Sequence, residues 1–270
     1  MEFTGVSIIL PTLKETDSFV KAVTMILEMN PGDIAEFIAV VCDRTNPDSF
    51  QSIEEGRKLA VAAGVPLSIL HQTLPYFGGA IRDGFMAATG SHVCMVTPDL
   101  DTAPDKLPEM IALAKQYPGD IIAGSRWRKG GGFVNYDGLK KAWNYLSQKF
   151  LDVFYLTTLT DFTWGNQMAP TILYQSMNFT EVKHPINMER MVIPLRLGVG
   201  FHEVGAVCRM PDDDDTVNPL MANFAYLRPA FRWRFARRET MVKPGVDYRE
   251  LMKTLRTPPE NAPRPESRRA

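Results

Sequence analysis

The chain has 270 residues, 45% of them hydrophobic and 23% charged, with a formal net charge of −1, the make-up of a globular protein with one large core or two small ones. That balance excludes a general attraction to nucleic acid, and no apolar run approaches the roughly 18 residues of a spanning helix. Cys42, Cys94 and Cys208 are widely spaced with no CxxC pair, which excludes a zinc ribbon or a disulfide framework and points to packing residues in a reducing, cytoplasmic setting.

Met1 to Pro11 carries no basic n-region before Val6 to Leu10, so this stretch reads as a strand rather than a signal peptide. A helical pattern over Asp17 to Glu28 precedes a strand at Phe37 to Val41 and a helix around Ile53 to Ala63. Next come a strand at Leu67 to Leu70, a helix from Gly79 to Ala88, a strand at Val93 to Val96, and a helix from Pro104, suited to a first helical position, to Gln116. With Ile121 to Ala123 this is a βαβα alternation, which predicts an α/β fold: a mostly parallel central sheet with helices on both faces.

The rhythm breaks at Gly130-Gly131-Gly132, and a long helix over Leu139 to Phe154 follows without a strand. The chain therefore divides into 1–123, 124–215, an aromatic and basic helical extension over 216–256, and a tail over 257–270. The tail is rich in Pro, Glu and Arg without apolar periodicity and reads as disordered. In Phe224 to Arg238, aromatic and arginine residues interleave, which suits either an interfacial helix on an anionic membrane or an amphipathic helix packed on the domain; Pro229 predicts two short helices there.

An open α/β sheet binds its ligand beyond the carboxyl ends of its strands. At one such end lies Thr97-Pro98-Asp99-Leu100-Asp101. On an extended backbone Asp99 and Asp101 share a face and can reach one Mg²⁺ or Mn²⁺, although Asp and Thr102 before Pro104 equally suit a helix cap. Asp43, after the second strand, can contact a base or simply serve the turn Asp43 to Asp48. Gly78-Gly79 can bring backbone close to an anion at a helix start, a weak signal on its own. Arg126, with Arg128, Lys129 and the three glycines, suits a flap over a diphosphate or a solvated basic loop.

Together and in this order, Ile8-Ile9-Leu10-Pro11-Thr12 with Glu15, Gly78 to Phe85, the Asp99 strand end, Gly124-Ser125-Arg126-Trp127 and Asp161 to Gly165 resemble the inverting family 2 glycosyltransferases of GT-A fold. The branch most resembled is that of the dolichol-phosphate mannose synthases and polyprenyl-phosphate glycosyltransferases. The resemblance covers about 5–210 and makes 1–123 a nucleotide-sugar half and 124–215 an acceptor half. It implies Pro11, Thr12, Glu15, Asp43, Gly79, Arg82, Thr97, Asp99, Arg126 and Arg209 around the nucleotide diphosphate sugar, and Asp99 with Asp101 on Mg²⁺ or Mn²⁺. Thr97 replaces an acidic residue of the family's aspartate motif, and Asp101 takes the place of its later polar ligand.

Phe77 stands where many relatives carry Lys, and Cys42, Arg44 and Thr45 depart from the pattern around Asp43. Counting back from Asp161, Lys140 and Asn144 fall where the mannose synthases place arginine and serine on the lipid phosphate. A phosphate acceptor, already anionic, attacks with little need of a base; an alcohol needs one, for which Asp161 or Glu189 are the candidates, Glu189 also reading as a surface helix residue. The resulting expectation is transfer of a hexose, from GDP-mannose or a UDP-hexose, to a polyprenyl phosphate at the inner membrane face. The alternatives are a soluble saccharide or small-molecule acceptor, and a non-catalytic nucleotide-binding module.

Overall fold

The computed structural model describes residues 1–30, 32–209 and 219–257, with side chains of the last stretch from 225 onward. Among them, seven strands form one sheet in the order β3-β2-β1-β4-β7-β5-β8. These are β1 (Val6–Pro11), β2 (Ile34–Val41), β3 (Leu67–His71), β4 (His92–Met95), β5 (Ile121–Ser125), β7 (Gln167–Pro170) and β8 (Phe201–Gly205). All pair in parallel except β7, which runs antiparallel between β4 and β5. A parallel ribbon of β6 (Gly132–Val134) and β9 (Val207–Arg209) lies apart.

The first strands are continuous apolar runs because both sheet faces are covered. Val6, Ile8 and Leu10 enter one core with Phe19, Val23 and Ile26 of α1 (Asp17–Met29) and Ile53 of α2 (Pro47–Ala62). Ile9, pointing the other way, joins Ile81 and Phe85 of α3 (Tyr76–Ala87), as the period of two requires. On the first side lies α4 (Leu107–Gln116), entered through a 3-10 turn at Pro104–Lys106. The remaining helices are α5 (Gly138–Tyr155), α6 (Thr171–Ser176), α7 (Ile186–Leu197), α8 (Pro219–Phe235) and α9 (Tyr248–Arg256).

Three expectations are corrected. α2 begins at Pro47, six residues before Ile53, because the Asn46 side chain accepts from Asp48 N and Pro47 occupies the first turn. α3 begins at Tyr76, so Gly78 and Gly79 lie inside its first turn. α8 is one helix that continues through Pro229. Proline removes one backbone donor there, but the turns beyond it are held from outside: Tyr155 Oη donates to Ala230 O at 2.7 Å, and Arg234 Nε to Phe154 O at 2.7 Å. The acidic run Asp212 to Asp215 and the tail expected over 257–270, beyond Thr257, lie outside the described residues. No helix among the described residues is long and apolar enough to cross a membrane.

Candidate active site

A cleft of about 550 Å³ opens where the parallel strands end. Its lining follows the strand ends in turn: Thr12 and Glu15 after β1, Cys42 and Arg44 after β2, Gln72 after β3, Thr97, Asp99 and Asp101 after β4, and Arg126 after β5. Pro11 lines it as the last residue of β1. The loop after β1 is folded by Glu15, whose carboxylate accepts from the N–H groups of Leu13 at 2.6 Å and Lys14 at 2.9 Å. Asp43 is exposed and off the wall, whereas its neighbours Cys42 and Arg44 are on it. Phe77 and His184 stack at 4.8 Å in the wall, and burial pushes the His184 pKa down, so that imidazole is neutral at pH 7.

Gly79 and Arg82, also expected around the donor, are likewise off the cleft wall. The N–H groups of Gly78 and Gly79 both donate to Val182 O, at 2.8 and 3.3 Å. A Cβ on either glycine would run into the backbone of Val182 and Lys183 or of Leu74; these glycines allow backbone to pack on backbone and offer no N–H to an anion. Arg82 is instead near Lys243, whose pKa is lowered by burial and further by the Arg82 charge.

The strand end at Thr97 is a turn, not an extended segment. Leu100 has φ +68° and its N–H donates to Thr97 O at 3.0 Å, so Asp99 and Asp101 do not share a face by alternation. Both still line the cleft. Asp99 Oδ1 accepts from Asp101 N at 3.0 Å, and Asp101 Oδ1 accepts from the Cys208 thiol at 2.8 Å. Thr102, the residue read as a cap, receives the Thr97 N–H on its hydroxyl. Burial and Asp101 raise the Cys208 pKa, which keeps it a thiol. The pattern of the sequence held no signal for this thiol.

The opposite wall is built on one buried ion pair. Arg126 Nε and Nη2 meet Asp161 Oδ2 and Oδ1 at 2.7 and 2.8 Å, and the Arg126 N–H also donates to Oδ2. Burial alone would lower the guanidinium pKa, but Asp161 outweighs it and the pKa is raised. Asp161 is wholly covered while Arg126 reaches the cleft. Among the described residues Arg126 Nη1 makes no hydrogen bond. Asp161 is thus a positioning residue and is not placed to act as a base. Thr163 accepts from Arg126 Nη2 and from Gln148 Nε2, and Gln148 Nε2 also donates to Asn144 Oδ1. Asn144, Tyr136 and Tyr226 complete this wall. Burial raises both phenol pKa values, that of Tyr226 to about 12.

The glycine run is a closed turn and not a loose flap. Gly130 has φ +86°, Gly131 N donates to Arg128 O, and Gly132 opens β6. Lys140 is half-buried one turn before Asn144 on α5. Arg209 is exposed and 3.5 Å from Asp105, off the cleft wall.

Glu189, read as a base or a surface residue, is neither. It is fully buried, accepting from Thr180 N and Oγ1, Glu181 N and Trp233 Nε1 at 2.6–2.9 Å. Sequence reasoning also missed a second cavity of about 220 Å³ between α5 and α8. Trp143, Leu146, Phe150, Leu151, Leu227 and Ala230 line it, together with Thr163 and Tyr226, which it shares with the cleft.

A model of Glycosyl transferase family 2 matches residues 7–171, more than half of the chain. The chain belongs to glycosyl transferase family 2. Its sheet is that of a GT-A fold. The chain is 28% identical over 137 residues to a dolichol-phosphate mannosyltransferase of Pyrococcus furiosus; the match spans 50% of this chain and 37% of that relative's length. Among solved structures it is similar to glucosyl-3-phosphoglycerate synthase of Mycobacterium tuberculosis in complex with Mn²⁺, UDP and glucosyl-3-phosphoglycerate. The TM-score is 0.63 at 15% identity, over 86% of this chain and 80% of that one. The crystal structure of a further mycobacterial protein gives 0.61 at 18% identity over 85% and 73%. At such identities the likeness is one of fold.

Proposed function

We propose that this transferase moves a hexose from a nucleotide diphosphate sugar to a polyprenyl phosphate with inversion. The observation that carries the acceptor is the apolar cavity between α5 and α8, which shares Thr163 and Tyr226 with the cleft and suits a hydrocarbon chain whose phosphate lies in the cleft. Asn144 hydrogen-bonds that phosphate and Lys140, one turn earlier, supplies a cation.

Thr12, Arg44 and Gln72 surround the nucleoside, with Asp43 beside them. Arg126, held by Asp161, presents its remaining nitrogen to the diphosphate. An acceptor phosphate oxygen attacks the anomeric carbon from the side opposite the diphosphate; the new C–O bond forms as the old one breaks, and the electron pair leaves on the diphosphate oxygen. The anionic nucleophile carries no proton to remove. This agrees with the burial of Asp161 and Glu189, the two candidates for the one base that an alcohol acceptor would have needed.

Among the described residues no group of three or more His, Cys, Asp or Glu side chains could hold a metal. Mg²⁺ and Mn²⁺ suit one or two carboxylates completed by substrate phosphates and water, and Asp99 with Asp101 fits that requirement. A cation there would offset charge on the departing diphosphate. The glucosyl-3-phosphoglycerate synthase of M. tuberculosis has been solved in complex with Mn²⁺, UDP and phosphoglyceric acid, which supports a divalent ion and favours, as a second reading, a soluble phosphate-bearing acceptor.

Thermal shift with UDP and GDP, each with and without Mn²⁺, tests the donor reading: a rise in Tm with one of them is expected, and no shift with any overturns it. Product mass with a short-chain prenyl phosphate or phosphoglyceric acid then separates the two acceptors.

A further inference from the structure

α5 is inside out. Its buried face carries Asn144 and Gln148 along with Leu151 and Tyr155. Its outward face carries Leu139, Trp143, Leu146, Phe150 and Val153, all exposed, Leu139 and Val153 by 65% and 71%. These five recur at i, i+4, i+7, i+11 and i+14 and so form one stripe along the helix.

α8 extends it. Leu227, Phe231 and Phe235 are exposed, and Phe231 and Phe235 meet Phe154 at 4.9 and 6.0 Å between ring centres; Phe150 lies 6.4 Å from Phe231. A contiguous apolar surface of this extent is uncommon on a protein that meets only water.

Charge identifies what covers it. α5 and α8 carry Lys140, Lys141, Lys149, Arg228, Arg232 and Arg234 against the single acid Asp152, in a chain of net charge −1. Aromatic and aliphatic side chains flanked by cations match the interface of an anionic bilayer, where the apolar face enters the headgroup boundary and the cations meet lipid phosphates. A second copy of the chain fits less well, because a two-fold contact sets this surface against itself and brings its cations together.

We infer that the outer face of α5 and α8 is a docking surface for an anionic lipid bilayer. Trp143, Leu146 and Phe150 belong both to this face and to the wall of the apolar cavity, so a docked bilayer lies against the route to the acceptor end of the cleft. The surface is a matter of adhesion and stands apart from the chemistry proposed for the cleft.

Cosedimentation of the full chain with vesicles of phosphatidylcholine, alone or mixed with phosphatidylglycerol, tests it. Binding to the mixed vesicles is expected, falling as salt is raised. The pair Val153→Glu and Phe235→Glu, both off the cavity wall, is expected to weaken it ~10-fold or more. Circular dichroism and turnover on a water-soluble short-chain prenyl phosphate should be unchanged in that variant. No binding to either vesicle, equal binding by the variant, or an apolar-face dimer that the variant dissolves would each overturn the inference. A chain that binds vesicles yet transfers to no prenyl phosphate counts against the proposed acceptor and leaves the surface standing.

Discussion

The two walls of the cleft are made in different ways. The first wall consists of residues that follow the ends of β1 to β4, each in a short loop held by backbone and local side-chain bonds, such as Glu15 beneath the Leu13 and Lys14 N–H groups. The opposite wall hangs on Arg126 and Asp161, 35 residues apart and buried together. A loop residue on the first wall can be lost with only its own contacts. A member of the pair on the second cannot, because its partner is left as an isolated charge out of water. Chemistry and stability are therefore separable on one side and joined on the other.

The sharpest way to break this contrast is Asp161→Ala, expected to cost about 3–5 kcal/mol by stranding the Arg126 guanidinium, read from urea unfolding. Arg126→Met combined with Asp161→Leu should regain most of that stability while donor turnover stays lost; a double variant as unstable as Asp161→Ala would deny the argument. On the first wall, Asp99→Ala should lower turnover by roughly 100- to 1000-fold. Because Asp99 is exposed, stability should stay within about 0.5 kcal/mol, so a large fall in Tm would show the walls to be alike.

A smaller effect comes from His92 on β4, which is fully buried, donates Nε2–H to Pro118 O at 2.9 Å and accepts from Ser91 Oγ on Nδ1. Burial pushes its pKa down from 6.5 to about 4. Between those values the unfolded chain binds a proton that the folded one refuses. Stability from this group is full above pH 6.5 and declines as pH falls towards 4, by on the order of 2–3 kcal/mol. Unfolding measured across that window should show the decline, and His92→Gln should flatten it. Least of all, Asn46→Ala should remove about 1 kcal/mol of capping at α2 and leave turnover untouched.

The first half of the fold is legible in the sequence because its strands are unbroken apolar runs between well-spaced helices. β7, β8 and β9 are not, since Gln167, His202, Glu203 and Arg209 interrupt any apolar pattern and their partners lie far along the chain. The Asp99 and Arg126 positions were readable from strand ends taken in order. Geometry was not: the positive φ at Leu100 removes the shared face of Asp99 and Asp101, and Val182 claims the Gly78 and Gly79 N–H groups. Glu189 shows the same limit, because no local pattern announces that Trp233, 44 residues on, donates to its carboxylate. For α5, periodicity declares an apolar stripe but not which side of the helix meets water.

The antiparallel β7 has a consequence for the birth of the protein. Among the described residues β5 has no strand beside it except β7 and β8, so residues 121–125, once synthesised, wait for residues 167–170 before they can join the sheet. Until then β4 and β5 both present open edges to other chains. A ribosome stalled before Gln167 would therefore hold a nascent chain with β5 unpaired and one edge of β4 open, and the stretch up to β7, which carries Arg126 and all of α5, becomes the segment most in need of a chaperone.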